Sequence, residues 1–208
     1  MSNLKPTVTF EQLLALIRGR RSIRRFIERP IPDKILHDLL EAARWAPSAH
    51  NRQPWRFVVL TAPAARRQLA TAMAAQLRAD LTADGVSAQV IEADAQRSET
   101  RLSTAAALIV VCLSMRDMAP YHDARRQFLE REMAVQSAAM AGQNILLAAH
   151  AHSLGAVWMC APLFCPEVVR EVLELPEDFE PQGIIAVGYP AEVRHKEREP
   201  LETRVIFK

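Results

Sequence analysis

The stretch RRSIRRF, residues 20 to 26, sets four arginines around one serine, and six of the twelve residues from Arg18 to Arg29 are arginine. Positive charge packed this densely serves nucleic acid, a membrane surface or a bound phosphate, or it is a solvated face. Three features weigh toward phosphate. The cations are all arginine, whose planar fork pairs with phosphate in bidentate fashion. Ser22 adds a hydroxyl donor. The segment also falls in a break between two helical stretches, where backbone N–H groups are free. A nucleic-acid surface would need the basic stripe to continue, or aromatics interleaved with it. The later segments are instead mixed in charge, and Phe26 is the only aromatic nearby.

A second polar constellation is PSAHNRQPW, residues 47 to 55, in which Pro47, Ser48, His50 and Asn51 belong to a loop braced by two prolines. Such short side chains can simply satisfy their own backbone. His50 has no orienting acid and no nucleophile in a triad arrangement. The acidic residues mostly flank arginines and do not suggest the inward-facing pair of a glycosidase. RHKERE, Arg194 to Glu199, reads as a mixed-charge surface turn, although Lys196 and Arg198 share one side if the chain is extended there. Cys112, Cys160 and Cys165 lack the spacing and the histidine company of a zinc site, and as free thiols they fit a reducing compartment. No metal site is expected.

These residues must be positioned by a chain of 208 residues with a net charge of +2, 50% hydrophobic and 24% charged, which suits an ordinary globular protein of one domain or two small ones. No run approaches 18 uncharged apolar residues, so no membrane-spanning helix is expected, and the first ten residues lack the layout of a secretory signal. A cytoplasmic location is expected. Helical periodicity covers Phe10 to Ile17, ending at Gly19, and a second helix opens at Pro32 and Asp33 and runs to about Trp45. WRFVVL, residues 55 to 60, is a strand. Helices are expected over 63–81, 87–103, 128–150 and 165–175. Buried strands are expected over 105–114, 153–160 and 182–190. The helix at 128–150 is apolar nearly all round, which hints at a subunit interface. RVIF, residues 204 to 207, is strand-like and must pair with something, another subunit being one candidate. Strands separated by long helices imply an α+β or three-layer α/β domain. A dinucleotide-binding Rossmann fold is excluded, because no GxGxxG follows an early strand. At this level the reaction type does not follow.

Four motifs taken together narrow it. RRSIRRF, then APSAHNRQPWRFVVL, then LGAVWMCAP, then GYPAE followed by KEREPLE occur in one order and span residues 20 to 202. In this the chain resembles the FMN-dependent nitroreductase family. The resemblance implies a three-layer α-β-α fold in one domain over residues 1–208, with a mixed sheet flanked by helices. It implies an intertwined homodimer with FMN at the subunit interface. Position by position, Arg20, Arg21 and Ser22 match residues near the FMN phosphate and ribityl chain, and Arg24 matches the cation facing the pyrimidine end of the ring. Pro47, Ser48 and Asn51 match a loop bordering the flavin, in part from the other subunit. Met159 and Cys160 match a strand end whose backbone approaches the ring. Lys196 and Arg198 match a late basic pair on the phosphate. NAD(P)H would be the electron donor in a ping-pong reduction of a small electron-poor substrate such as a nitroarene or quinone. No separate catalytic residue is implied, and Arg24 would tune the ring.

Arg21, His50 and Arg52 depart from the better-known members. APSAHNRQPW is closer to the nitroreductase-like domain associated with deazaflavin coenzyme biosynthesis. Cofactor biosynthesis on the same fold is thus a second reading, with a flavin-destroying activity as a further branch. A non-enzymatic anion- or nucleic-acid-binding module is a third.

Overall fold

The computed structural model describes residues 7–208. Its centre is β3 (Ala107–Leu113), seven apolar residues that are all buried. Their side chains alternate between two cores. Ala107, Ile109, Val111 and Leu113 pack with α2 (Asp33–Arg44) and α5 (Ala124–Ala151) on one face of the sheet. Leu108, Val110 and Cys112 pack with α3 (Pro63–Ala83), α4 (Ala88–Thr104) and α6 (Pro166–Val172) on the other. Burial of both faces explains why β3 reads as a continuous apolar run. The expected three-layer α+β architecture follows from it.

The strand order is β1 (Phe26–Ile27), β5 (Glu180–Pro190), β3, β2 (Trp55–Leu60), with β4 (Gly155–Met159) also paired to β5. All four ladders are antiparallel. A mixed sheet was expected, and the one parallel element among the described residues is the isolated bridge between Ser22 and Ala156. The connections account for this. Two helices, α3 and α4, join β2 to β3 and return the chain to the end it left. β3 and β4 do run the same way, as a crossover through the single helix α5 requires, but β5 inserts between them.

Several expectations shift. Helix α5 begins four residues early, at Ala124, because Asp123 caps it by accepting the Arg126 N–H at 2.9 Å. RVIF forms no strand in this chain, and Ile206 and Phe207 are 82% and 91% exposed. Its β-branched composition favours an extended chain, but pairing needs a neighbouring edge, and none meets it here. Helix α1 (Phe10–Gly19) has the predicted periodicity and a capping box between Thr9 and Gln12, yet none of its residues is buried. Nor is α5 covered all round, since Phe128, Leu129 and Met140 are exposed.

Candidate functional site

RRSIRRF leaves the end of α1, where the Arg20 N–H still donates to Leu16 O at 3.2 Å. It then lies along β4. Ser22 bridges Ala156, and the Ile23 N–H donates to Ala156 O at 3.1 Å. Gly155 permits the approach, because a Cβ there would stand 2.7 Å from Ile23 Cγ2. The chain next forms β1 against the end of β5. Phe26 faces Pro190, the Ala191 N–H donates to Arg25 O at 3.0 Å, and the Arg24 N–H donates to Glu192 Oε1 at 2.7 Å. Two motifs remote in sequence are zipped together in this way.

A cavity of about 420 Å³ opens between them, with Arg20, Arg21, His150, Gly155, Glu192 and Arg194 in its walls. Arg20 is half-buried. Burial holds its guanidinium below the usual arginine range, and the charges of Arg198 and Arg21 push the same way. None of the ion pairs among the described residues engages Arg20, Arg21, Arg24 or Arg198. Arg21 Nη1 donates to Arg20 O at 2.9 Å and also to Arg18 O, while its Nε is buried without a partner among the described residues. Arginines drawn together without counter-ions, beside an orphaned buried donor, are poised for an anion with several acceptor atoms.

A second group of cations adjoins the first. Arg24 Nη1 donates to Ser22 O at 3.4 Å. Arg101, in the last turn of α4, is half-buried, and its guanidinium is held below its usual range by burial, then by Arg24, Arg97 and Arg194, against the pull of Glu192. Glu192 carries the negative charge of this group. Its Oε2 accepts from Arg194 Nη2 at 2.8 Å and Nε at 3.0 Å.

The other expected residues lie elsewhere within one chain. Pro47, Ser48 and Asn51 form a loop pinned to α5 by the Ala49 N–H, which donates to Ser137 Oγ at 3.4 Å. Within it the Gln53 N–H donates to Ser48 Oγ at 3.0 Å, and His50, Asn51 and Gln53 all have positive φ of 51°, 54° and 51°. Three non-glycine residues in the left-handed region concentrate strain at one exposed turn. Asn51 borders a separate depression of about 230 Å³ with Arg44, Trp45 and Gln53. Met159 and Cys160 stand at the far end of β4, roughly 13 Å along the strand from Gly155. Cys160 is exposed and accepts a hydrogen bond from Trp158 Nε1 at 3.0 Å. Lys196 is exposed, in a segment without regular structure that also carries Arg198. The structure thus gathers Arg20, Arg21, Ser22, Arg24 and Arg198 in one region, with Arg20 and Arg21 in the cavity wall, and leaves the 47–51 loop and the Met159–Cys160 strand end apart from that cavity.

Four residues of this region escaped sequence reasoning. Arg101 sits on a polar helix whose facing the sequence pattern does not settle. His150 closes a long apolar helix. Glu192 and Arg194 look like surface charge until β5 brings them to the arginines. Among the described residues, no group of three or more His, Cys, Asp or Glu side chains is placed to hold a metal, and no helix is long and apolar enough to cross a membrane.

An antiparallel sheet between two helical layers, with an arginine-lined cavity where two loops meet a strand end, defines an α+β fold that offers donors for an anion. Residues 17–189 match the Nitroreductase family, and the chain belongs to that family. A Thermus thermophilus protein named NADH dehydrogenase is 34% identical over 201 residues, covering 91% of this chain and 92% of its own. A Desulfovibrio desulfuricans protein crystallised as a nitroreductase in complex with FMN is 29% identical, with a TM-score of 0.73 and coverage of 96% and 98%. A BluB-like flavoprotein from Clostridium difficile shares the fold at a TM-score of 0.80 with 21% identity, over 94% of this chain and 98% of its own.

Proposed function

We propose that the chain is an FMN-dependent oxidoreductase that uses NAD(P)H to reduce a small electron-poor acceptor such as a nitroarene or a quinone. The observation that carries this reading is the set of uncompensated arginines around the cavity, Arg20 and Arg21 in its walls with Arg198 nearby and the Arg21 Nε orphaned. A phosphomonoester answers that set, since it brings a double negative charge and several acceptor oxygens. Bound there, FMN would supply the two-electron chemistry that couples NAD(P)H oxidation to acceptor reduction in alternating half-reactions.

The chain's own residues bind and tune. Arg20, Arg21, Lys196 and Arg198 hold the phosphate, and Ser22 faces the ribityl chain. Arg24 sets a cation at the pyrimidine end, where reduction builds negative charge, and Arg101 adds to the same field. Met159 and Cys160 border the ring. No side chain needs to move a proton as a lone acid or base.

Pro47, Ser48 and Asn51 act on the cofactor held by a second copy of the chain, which accounts for their distance from this chain's own cavity. Exposed apolar side chains support a homodimer: Phe10, Leu13 and Ile17 on α1, Phe128, Leu129 and Met140 on α5, and Ile206 and Phe207 in the tail. The whole chain works as one FMN-binding domain in the cytoplasm.

The test is an absorbance spectrum of the purified protein, followed by turnover of NADH and NADPH against a quinone and a nitroarene. Flavin bands and nicotinamide-dependent turnover are expected. A protein that stays colourless when mixed with FMN would refute the reading. Flavin that is reduced by a reduced deazaflavin but by neither nicotinamide would move the protein to cofactor biosynthesis.

A further inference from the structure

Glu192 occupies an unusual place. The β1–β5 ladder runs from Ile27 opposite Tyr189 to Phe26 opposite Pro190. Its next backbone rung is the Ala191 N–H donating to Arg25 O at 3.0 Å. The rung after that is made by a side chain, with Glu192 Oε1 accepting the Arg24 N–H at 2.7 Å. The other carboxylate oxygen is taken by Arg194 through two donors, at 2.8 and 3.0 Å. The Glu192 side chain is only 11% exposed, and it lines the same cavity as Arg20 and Arg21. A charged acceptor satisfying a partly buried backbone donor is a strong contact, and Glu192 fixes where the chain turns at Arg24.

We infer that Glu192 is the positioning residue of the flavin site, holding the Arg24 backbone in register while its negative charge offsets part of the surrounding arginine field. This rests on the oxidoreductase reading above. The two roles are separable by chemistry. Glutamine keeps an oxygen for the Arg24 N–H and loses the charge. Alanine loses both and leaves the Arg24 N–H without its partner.

The charge role has a definite sign. Removing one negative charge beside Arg24, Arg25, Arg101 and Arg194 makes the site more positive, and a more positive site favours the electron-rich reduced flavin over the oxidised one.

The experiment is redox titration of bound FMN in wild type, Glu192→Gln and Glu192→Ala, with FMN dissociation constants from fluorescence titration of each apoprotein. Glu192→Gln is expected to bind FMN within about threefold of wild type and to favour the reduced form about tenfold, or about 30 mV for a two-electron couple. Glu192→Ala is expected to weaken FMN binding about tenfold, because its Arg24 is no longer held. A Glu192→Gln variant with the wild-type potential would overturn the charge role, and FMN binding at wild-type strength by Glu192→Ala would overturn the positioning role. If the alanine variant does not fold, the glutamine variant still decides the charge role, and Glu192→Asp, whose shorter arm withdraws the acceptor from the Arg24 N–H, replaces it with the same expected loss of FMN affinity. Wild-type protein that binds no FMN would sink the functional reading itself, an outcome distinct from either failure.

Discussion

Gly19 and His150 meet so closely that a Cβ on Gly19 would stand 2.6 Å from His150 Nε2. Gly19 ends α1, His150 is in the last turn of α5, and both border the arginine cavity. The missing side chain lets one helix finish against the other. The atom in the way is the tip of a side chain, so a substitution here displaces the imidazole more readily than the backbone. Gly19→Ala is expected to cost about 1 kcal/mol of stability, at the low end for overpacking, and to weaken FMN binding. The double variant Gly19→Ala, His150→Ala should recover the affinity. Thermal melts and FMN titrations of both check this, and a double variant as weak as the single one would show that His150 is not the obstruction.

On the proposed reading, Arg20 and Arg24 divide the cationic work. Arg20→Ala removes a half-buried, uncompensated guanidinium from the cavity and is expected to weaken FMN about 10- to 100-fold, as for a lost charged hydrogen bond of about 1.5–3 kcal/mol. Arg24→Ala should keep much of the FMN affinity and slow flavin reduction in stopped-flow traces. Wild-type reduction rates in Arg24→Ala would remove that residue from the ring.

Trp158 is caught between two glycines. A Cβ on Gly142 of α5 would lie 2.3 Å from its ring, and one on Gly183 of β5 would lie 2.5 Å away. With the indole blocked on both sides it cannot give way. Gly142→Ala is therefore expected to lose about 3 kcal/mol, the upper end of ordinary overpacking. The midpoint of denaturant unfolding measures it, and a midpoint equal to wild type would mean that the indole has room to move.

Acid should destabilise the fold through its depressed carboxylates. The Arg194 hydrogen bonds hold Glu192 below the usual carboxylate range, against burial and with help from the Arg24 N–H. The Ser114 hydroxyl does the same for Asp178. A folded-state pKa below the unfolded one adds stability that is present above the unfolded value and drains as pH falls through the folded one. The melting temperature is expected to hold from pH 7 to about 5 and to fall below about 4.5. Glu192→Gln should flatten part of that decline. A melting temperature constant down to pH 3 would remove these contacts from the acid response.

Much of the frame was readable from local pattern. The buried strand around Ala107–Leu113 and the helices on either side of it carry local signals of periodicity and apolar runs. The start of α5 was missed because Asp123 extends it through a cap, and the polar residues after it hide the continuation. RVIF finds no strand partner among the described residues of one chain, because its residue types state a preference that a neighbouring edge must satisfy.

Residue types and spacing alone marked RRSIRRF as a candidate anion site in a helix break, because arginine chemistry and free backbone donors are local properties. Only the tertiary structure decided which arginines share a cavity, that Arg101 and Arg194 adjoin Arg24, and that Glu192 closes the ladder at Arg24 from 168 positions away. Those relations depend on β5 running between β3 and β4, and on the two helices that return the chain from β2 to β3. They are long-range contacts, with no counterpart in the short-range periodicity of the chain.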